Sequence, residues 1–109
     1  MEIERISSDE LLVRIASLPD VTASGTWVEQ FRRELGGQEK MARIDLTALP
    51  VVSSLVVGVV LGVFKALQKQ GGTIRVTVPR EEMRHVFELF RLTSMFEVEV
   101  ADGVGETTS

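Results

Sequence analysis

The sequence contains no cysteine and only one histidine, His85. The first absence removes disulfide scaffolds, zinc ribbons, iron–sulfur centres and cysteine nucleophiles together. The second leaves no imidazole cluster for a metal, and the scattered carboxylates show no ligand spacing. Lys and Arg number 12 against 16 Asp and Glu, a formal charge of −4, and form no basic stripe. A general phosphate-backbone binder needs clustered cations, so nucleic acid is not an expected partner. Long hydrophobic runs are nearly absent too. The one candidate, Leu49 to Phe64, contains Pro50, Ser53 and Ser54 and stops at Lys65. That is short of the roughly 20 apolar residues a membrane span requires, despite the helix-pair spacing of Gly58 and Gly62. It reads as a buried helix against a sheet, and no membrane insertion is expected. The start, Met1-Glu2-Ile3-Glu4-Arg5, has neither the basic flank nor the apolar core of a signal peptide, so a cytoplasmic location is expected.

What is present suits one domain. The chain has 109 residues, 44% of them apolar and 26% charged, enough for a core and for solubility. Met1 to Ile6 and Leu11 to Ala16 read as an antiparallel strand pair around the polar turn Ser7-Ser8-Asp9-Glu10. Asp20 to Ser24 offers helix caps, and Trp27, Phe31 and Leu35 then follow on one stripe until Gly36-Gly37. Met41 to Leu46 is a third strand. The apolar helix starts near Ser53 or Ser54 and ends before Gly71-Gly72, with its polar residues confined to the second half. The first half is therefore expected to be enclosed by the protein or by a partner.

Thr73 to Val78 alternates as a half-buried strand. Pro79 opens a helix with Glu81 and Glu82 in its first turn and an apolar stripe of Met83, Val86, Phe87 and Phe90. Phe96 to Val100 is the last strand. The predicted order is β-β-α-β-α-β-α-β: an α/β domain over 1–102 with a mixed, mostly parallel sheet and three main helices on one or both faces. Residues 103–109 read as a flexible polar tail.

No catalytic constellation accompanies this order. His85 falls among Glu82, Arg84 and Glu88 and reads as a surface residue, with no G-x-S-x-G elbow or orienting acid for a triad. Asp20 and Asp45 are the carboxylates near strand ends; a helix cap and a solvent-side strand residue are their expected roles. Gly71-Gly72 ends a helix instead of opening one, so no phosphate loop is formed. Trp27 and Phe31 read as core, and Gly58 and Gly62 as allowing the helix to approach the sheet closely. No enzyme, metal or cofactor is expected. Ser53-Ser54 is the more informative pair. It stands where Val51-Val52 gives way to a helix, so one hydroxyl is expected to cap that helix. A phosphate there is tolerated by the helix dipole, yet adds nearly two negative charges to an apolar surface.

Several segments together resemble the STAS domain family of anti-sigma factor antagonists and sulfate-transporter modules. Met41-Ala42-Arg43-Ile44-Asp45-Leu46-Thr47-Ala48-Leu49 is similar to the family's apolar strand ending in Asp-Leu-Ser/Thr. Val59 to Lys65 resembles the body of its second helix, and Gly71-Gly72-Thr73-Ile74-Arg75-Val76 its Gly-Gly turn and following strand. Glu88-Leu89, Leu92 and Met95-Phe96-Glu97-Val98 match the spacing of the C-terminal helix and last strand. The first forty residues agree in general pattern only.

The resemblance implies a non-catalytic protein-binding domain of bacterial partner switching, which binds an anti-sigma serine kinase. In that family the second helix opens with Asp-Ser-Ser/Thr-Gly, and the second hydroxyl residue is phosphorylated. Matching back from Gly58 puts Ser53 at the Asp and Leu55 at the acceptor. Sliding by one puts Val52 at the Asp and makes Ser54 the acceptor. Both registers stay open, and neither restores the acid. Ser54 and then Ser53 are the candidate switch residues; Asp20, Pro50, Val51, Val52, Leu55 and Gly58 are the candidate partner contacts. The alternatives are a regulatory subunit bound to the ATPase of a phospholipid-type ABC transporter, or a structural component of a stress-signalling assembly. A homodimer is a further candidate.

Overall fold

The computed structural model describes residues 1–101. The tail expected over 103–109 lies outside the described residues. Five strands and three helices follow in the order read from the sequence: β1 Glu2–Ser7, β2 Glu10–Arg14, α1 Val21–Glu34, β3 Met41–Asp45, α2 Ser54–Gln68, β4 Thr73–Val78, α3 Glu81–Leu89 and β5 Glu97–Val100. A short 3-10 turn, Leu92–Ser94, lies between α3 and β5.

The sheet order is β1-β2-β3-β4-β5, with β1 antiparallel to β2 and every other pair parallel. Each crossover moves one strand further in the same direction. Right-handed crossovers that never reverse keep all the helices on one face. The register aligns Val13, Ile44, Val76 and Val98 across four strands, and all four are buried under the helices. The other face carries Arg43 and Arg75, each neutralised by a neighbouring carboxylate, Glu10 and Glu97 respectively. Parallel strands are ordinarily covered on both sides and read as continuous apolar runs. Here one bare face restores the alternation seen in Thr73 to Val78.

Helix α2 is the centre of the core. Val56, Val57, Val59, Val60, Val63, Phe64, Ala66 and Leu67 are all buried, meeting the sheet on one side and α1 on the other. Phe64 and Phe96 lie with ring centroids 5.2 Å apart, and Phe87 meets Phe96 edge-on at 6.4 Å, so these aromatics join α2, α3 and the approach to β5.

The glycine pair of α2 departs from the expected role. A Cβ on Gly62 would fall 2.7 Å from a methyl of Val28, so this glycine lets α2 approach α1, not the sheet. Gly58 faces open space, with no atom within 4 Å of a Cβ built there. At Gly72 a Cβ would stand 2.9 Å from the backbone oxygen of Lys40, and Gly71 has φ +81°, so this turn depends on both glycines. Phe90 also departs from its stripe. Helix α3 ends at Leu89, Arg91 turns the chain at φ 60°, and Phe90 is left 54% exposed.

Candidate functional site

The connections β2–α1, β3–α2 and β4–α3 all emerge at the C-terminal ends of the parallel strands. Open α/β sheets usually bind ligands there, in the crevice where strand order reverses. This sheet has no reversal, and among the described residues no cavity is found. The end of the sheet is a surface of loops and helix starts.

The β3–α2 connection is held at several points. Asp45 closes a turn by accepting from the Thr47 N–H at 2.8 Å and its hydroxyl at 2.6 Å. Leu49 is buried and anchors the loop. From the next connection, Arg80 donates through Nη2 to the Pro50 carbonyl at 2.5 Å. Ser53 then caps α2: its Oγ accepts from Val56 N–H at 3.3 Å and its carbonyl from Val57 N–H. The side-chain oxygen meets one of the orphan donors that every helix start leaves.

With the loop fixed, its outward groups are defined. Pro50, Val51 and Ser54 are exposed, while Val52, Ser53 and Leu55 are half-buried. Ser53 and Ser54 therefore differ chemically. The Ser53 hydroxyl is engaged in the cap, whereas the Ser54 side chain is exposed and makes no hydrogen bond to another described residue. Gly58, one turn further on, shares the exposed side. Asp20 caps α1, its Oδ1 accepting from Ala23 N–H at 2.7 Å, and is exposed beside this end of the sheet. The structure thus brings the candidate residues to one end of the domain and gives two of them, Asp20 and Ser53, capping duties as well.

Leu18 and Val21, 43% and 76% exposed, join this end from the β2–α1 connection. The sequence reading missed both, as it missed Arg80. Apolar residues beside a helix start look the same in sequence whether they turn inward or outward. His85 lies away from this surface, on α3, with Nδ1 3.1 Å from Glu88.

Gly58 offers a check on the packing. Because a methyl there meets nothing, Gly58→Ala is expected to stabilise the isolated domain by about 0.5–1 kcal/mol through helix propensity. A urea titration reads this as a higher midpoint. A lower midpoint would contradict the open position of Gly58.

The model of the STAS domain matches residues 1–107. No curated protein matches the chain. Among solved structures, the anti-sigma factor antagonist SpoIIAA in its unphosphorylated form is 18% identical, with 98% of this chain and 90% of that one covered and a TM-score of 0.73. The Bacillus cell fate determinant SpoIIAA in its phosphorylated form is 19% identical over 99% of this chain and 98% of that one, with a TM-score of 0.69. A chain from the molecular architecture of the stressosome, a signal integration and transduction hub, is 21% identical over 98% of this chain and 94% of that one, with a TM-score of 0.66. At these identities the likeness is one of fold. Among the described residues no helix is long and apolar enough to cross a membrane. With the family model spanning nearly the whole chain and the sheet and helices in the matching order, the protein belongs to the STAS domain family.

Proposed function

We propose that this domain is a non-catalytic partner-binding regulator of the anti-sigma factor antagonist kind, acting in the cytoplasm of a bacterium. Its partner is a serine kinase of the anti-sigma type. The partner face comprises Pro50, Val51, Val52 and Leu55, with Asp20 and Gly58 at its margins and Leu18 and Val21 beside it. Ser54 is the switch residue, and Ser53 is retained as the cap. The observation that carries this reading is the contrast between the two serines: one hydroxyl is occupied by the helix start, and the other is exposed among apolar neighbours. Phosphate on Ser54 would gain from the positive end of α2, so the domain stays folded. It would also place nearly two negative charges on an apolar contact, so the partner leaves.

Calorimetric titration of the purified kinase tests this. Val51→Asp is expected to weaken binding at least about 30-fold, as for a central contact. Ser54→Asp is expected to weaken it at least about 10-fold with an unchanged circular-dichroism spectrum. Unaltered affinity for Ser54→Asp would sink the switch. A specific feature favours a second reading: Val52, not an acid, precedes the serines. A regulatory subunit of an ABC transporter needs no phosphate acceptor, and its binding to the transporter ATPase would be indifferent to Ser54→Asp.

A further inference from the structure

The proposed partner face is held by few bonds. The β3–α2 connection is fixed at its start by the Asp45–Thr47 turn, by the Leu49 N–H donating to the Leu46 carbonyl at 3.0 Å, and by the buried Leu49 side chain. It is fixed again at Ser53, where the cap of α2 begins. Between these points run Pro50, Val51 and Val52. Pro50 has no N–H to donate. Val52 rests against the core, while Val51 is 51% exposed. Among the described residues, one hydrogen bond reaches this stretch, from the Arg80 guanidinium to the Pro50 carbonyl.

Arg80 belongs to a different element. It is the N-cap residue of α3, but only its backbone serves the cap: its carbonyl accepts from the Met83 and Arg84 N–H groups at 3.1 and 3.3 Å, and its side chain makes no capping bond. The side chain instead crosses to a carbonyl 30 residues earlier in the chain. Glu82 Oε1, 3.6 Å from Nε, steadies the guanidinium from the first turn of α3. The two connections already run together, since the Leu46 N–H donates to the Thr77 carbonyl at 2.9 Å. Both members of the Arg80–Glu82 pair are well exposed, so the pair adds little to global stability. The effect of Arg80 is local to the loop it reaches.

We infer that Arg80 is the positioning residue of the partner face: its bond to the Pro50 carbonyl sets the backbone that presents Val51, so the partner meets a loop already ordered. The inference rests on reading Pro50 to Leu55 as the contact surface. A loop ordered before binding loses less entropy in the complex, so removing the bond lowers affinity without altering any contact side chain. A guanidinium donor makes this a charge-assisted bond, stronger than one between neutral groups. The start of α3 thereby becomes a place from which binding is tuned, because any change that draws the guanidinium away from Pro50 loosens the face.

Nitrogen-15 relaxation of the isolated domain, read beside calorimetric titration of the serine kinase, tests this. In the wild type the Val51 N–H should be as rigid as the helices, with an order parameter of about 0.85. Arg80→Met keeps the side-chain length, loses the donor, and should lower that value below about 0.6. The urea midpoint should stay where it is. Kinase affinity should fall about tenfold, roughly the cost of ordering the backbone of one residue. Arg80→Lys retains a donor for what is a single bond to a carbonyl, so it should lie between wild type and Arg80→Met in both measurements. A Val51 N–H that stays rigid in Arg80→Met overturns the inference, and affinity lost in that case would make Arg80 a direct contact instead. Affinity unchanged by a loosened loop, or a lysine variant no better than methionine, overturns it as well. If the wild type binds no kinase, the partner reading fails, while relaxation still decides whether Arg80 positions the loop.

Discussion

Glu39→Ala is expected to destabilise the domain by about 3 kcal/mol, because it empties a buried carboxylate site that ties three parts of the fold together. Glu39 is the buried charged residue of the described chain, 2% exposed. Its carboxylate accepts from Arg5 on β1 at 2.7 Å, from the Gly36 and Gly37 N–H groups after α1, and from Gln70 Nε2 after α2 at 3.1 Å. Burial alone would push its pKa up. The Arg5 guanidinium, the Gln70 amide and the backbone N–H groups outweigh that and lower it from 4.5 to about 2. Removing the carboxylate leaves the Gly36 and Gly37 N–H groups without that acceptor and strips Arg5 of its counter-charge, although Arg5 keeps the Ser8 and Glu34 carbonyls and Gln70 the Glu39 carbonyl.

The same arrangement sets a pH dependence. A carboxyl whose folded pKa lies below its unfolded value contributes its stability above the unfolded value and loses it as pH falls through the folded one. Glu39 therefore contributes fully above about pH 4.5 and loses its contribution as pH approaches about 2. The expected loss is about 2–3 kcal/mol, with the half-exposed Arg5 screening the pair somewhat. Urea midpoints at pH 6 and pH 3 should fall more in the wild type than in Glu39→Gln, which has no proton to take up. Equal falls would show that the carboxylate is not held by these donors.

Gly62→Ala is expected to destabilise the domain by about 1–2 kcal/mol, although alanine is the better helix former. The added Cβ would stand 2.7 and 2.9 Å from the two methyls of Val28 and 3.3 Å from its Cβ. Valine has one stiff torsion and cannot swing aside, so α1 and α2 must separate. A double-mutant cycle isolates the overlap. Val28→Ala with Gly62→Ala should be less destabilised than the sum of the single variants, by on the order of 1 kcal/mol. Additive effects would show that the helices do not meet through this pair. Set beside Gly58→Ala, one substitution type one turn apart in one helix is expected to have opposite signs.

Much of the fold could be read from the residues because this sheet is bare on one face. Ile74, Val76 and Val78 alternate with Thr73, Arg75 and Thr77 because only the first set meets the helices. Asp20 and Ser53 declared the two helix starts, since a short polar side chain before an apolar periodic run is what an orphan backbone N–H requires. Phe90 was misread for the opposite reason. Its helical spacing carries no sign of where α3 stops, and the stop is made by Arg91 in a left-handed conformation that glycine or asparagine more often occupies. Glu39 gave no local signal either, because Gly36 to Lys40 reads as a polar loop.

The sequence by itself determined the class of the domain and the order of its strands and helices, since periodicity, caps and turn glycines act over a few neighbouring residues. Only the tertiary structure decided which serine hydroxyl is occupied, which glycine touches another helix, which carboxylate is buried, and which apolar side chains face outward. Those outcomes depend on residues far apart in the chain: Val28 against Gly62, Arg5 and Gln70 on Glu39, Arg80 on Pro50. Contact between distant segments is set by how the helices settle on the sheet, and no local pattern records it.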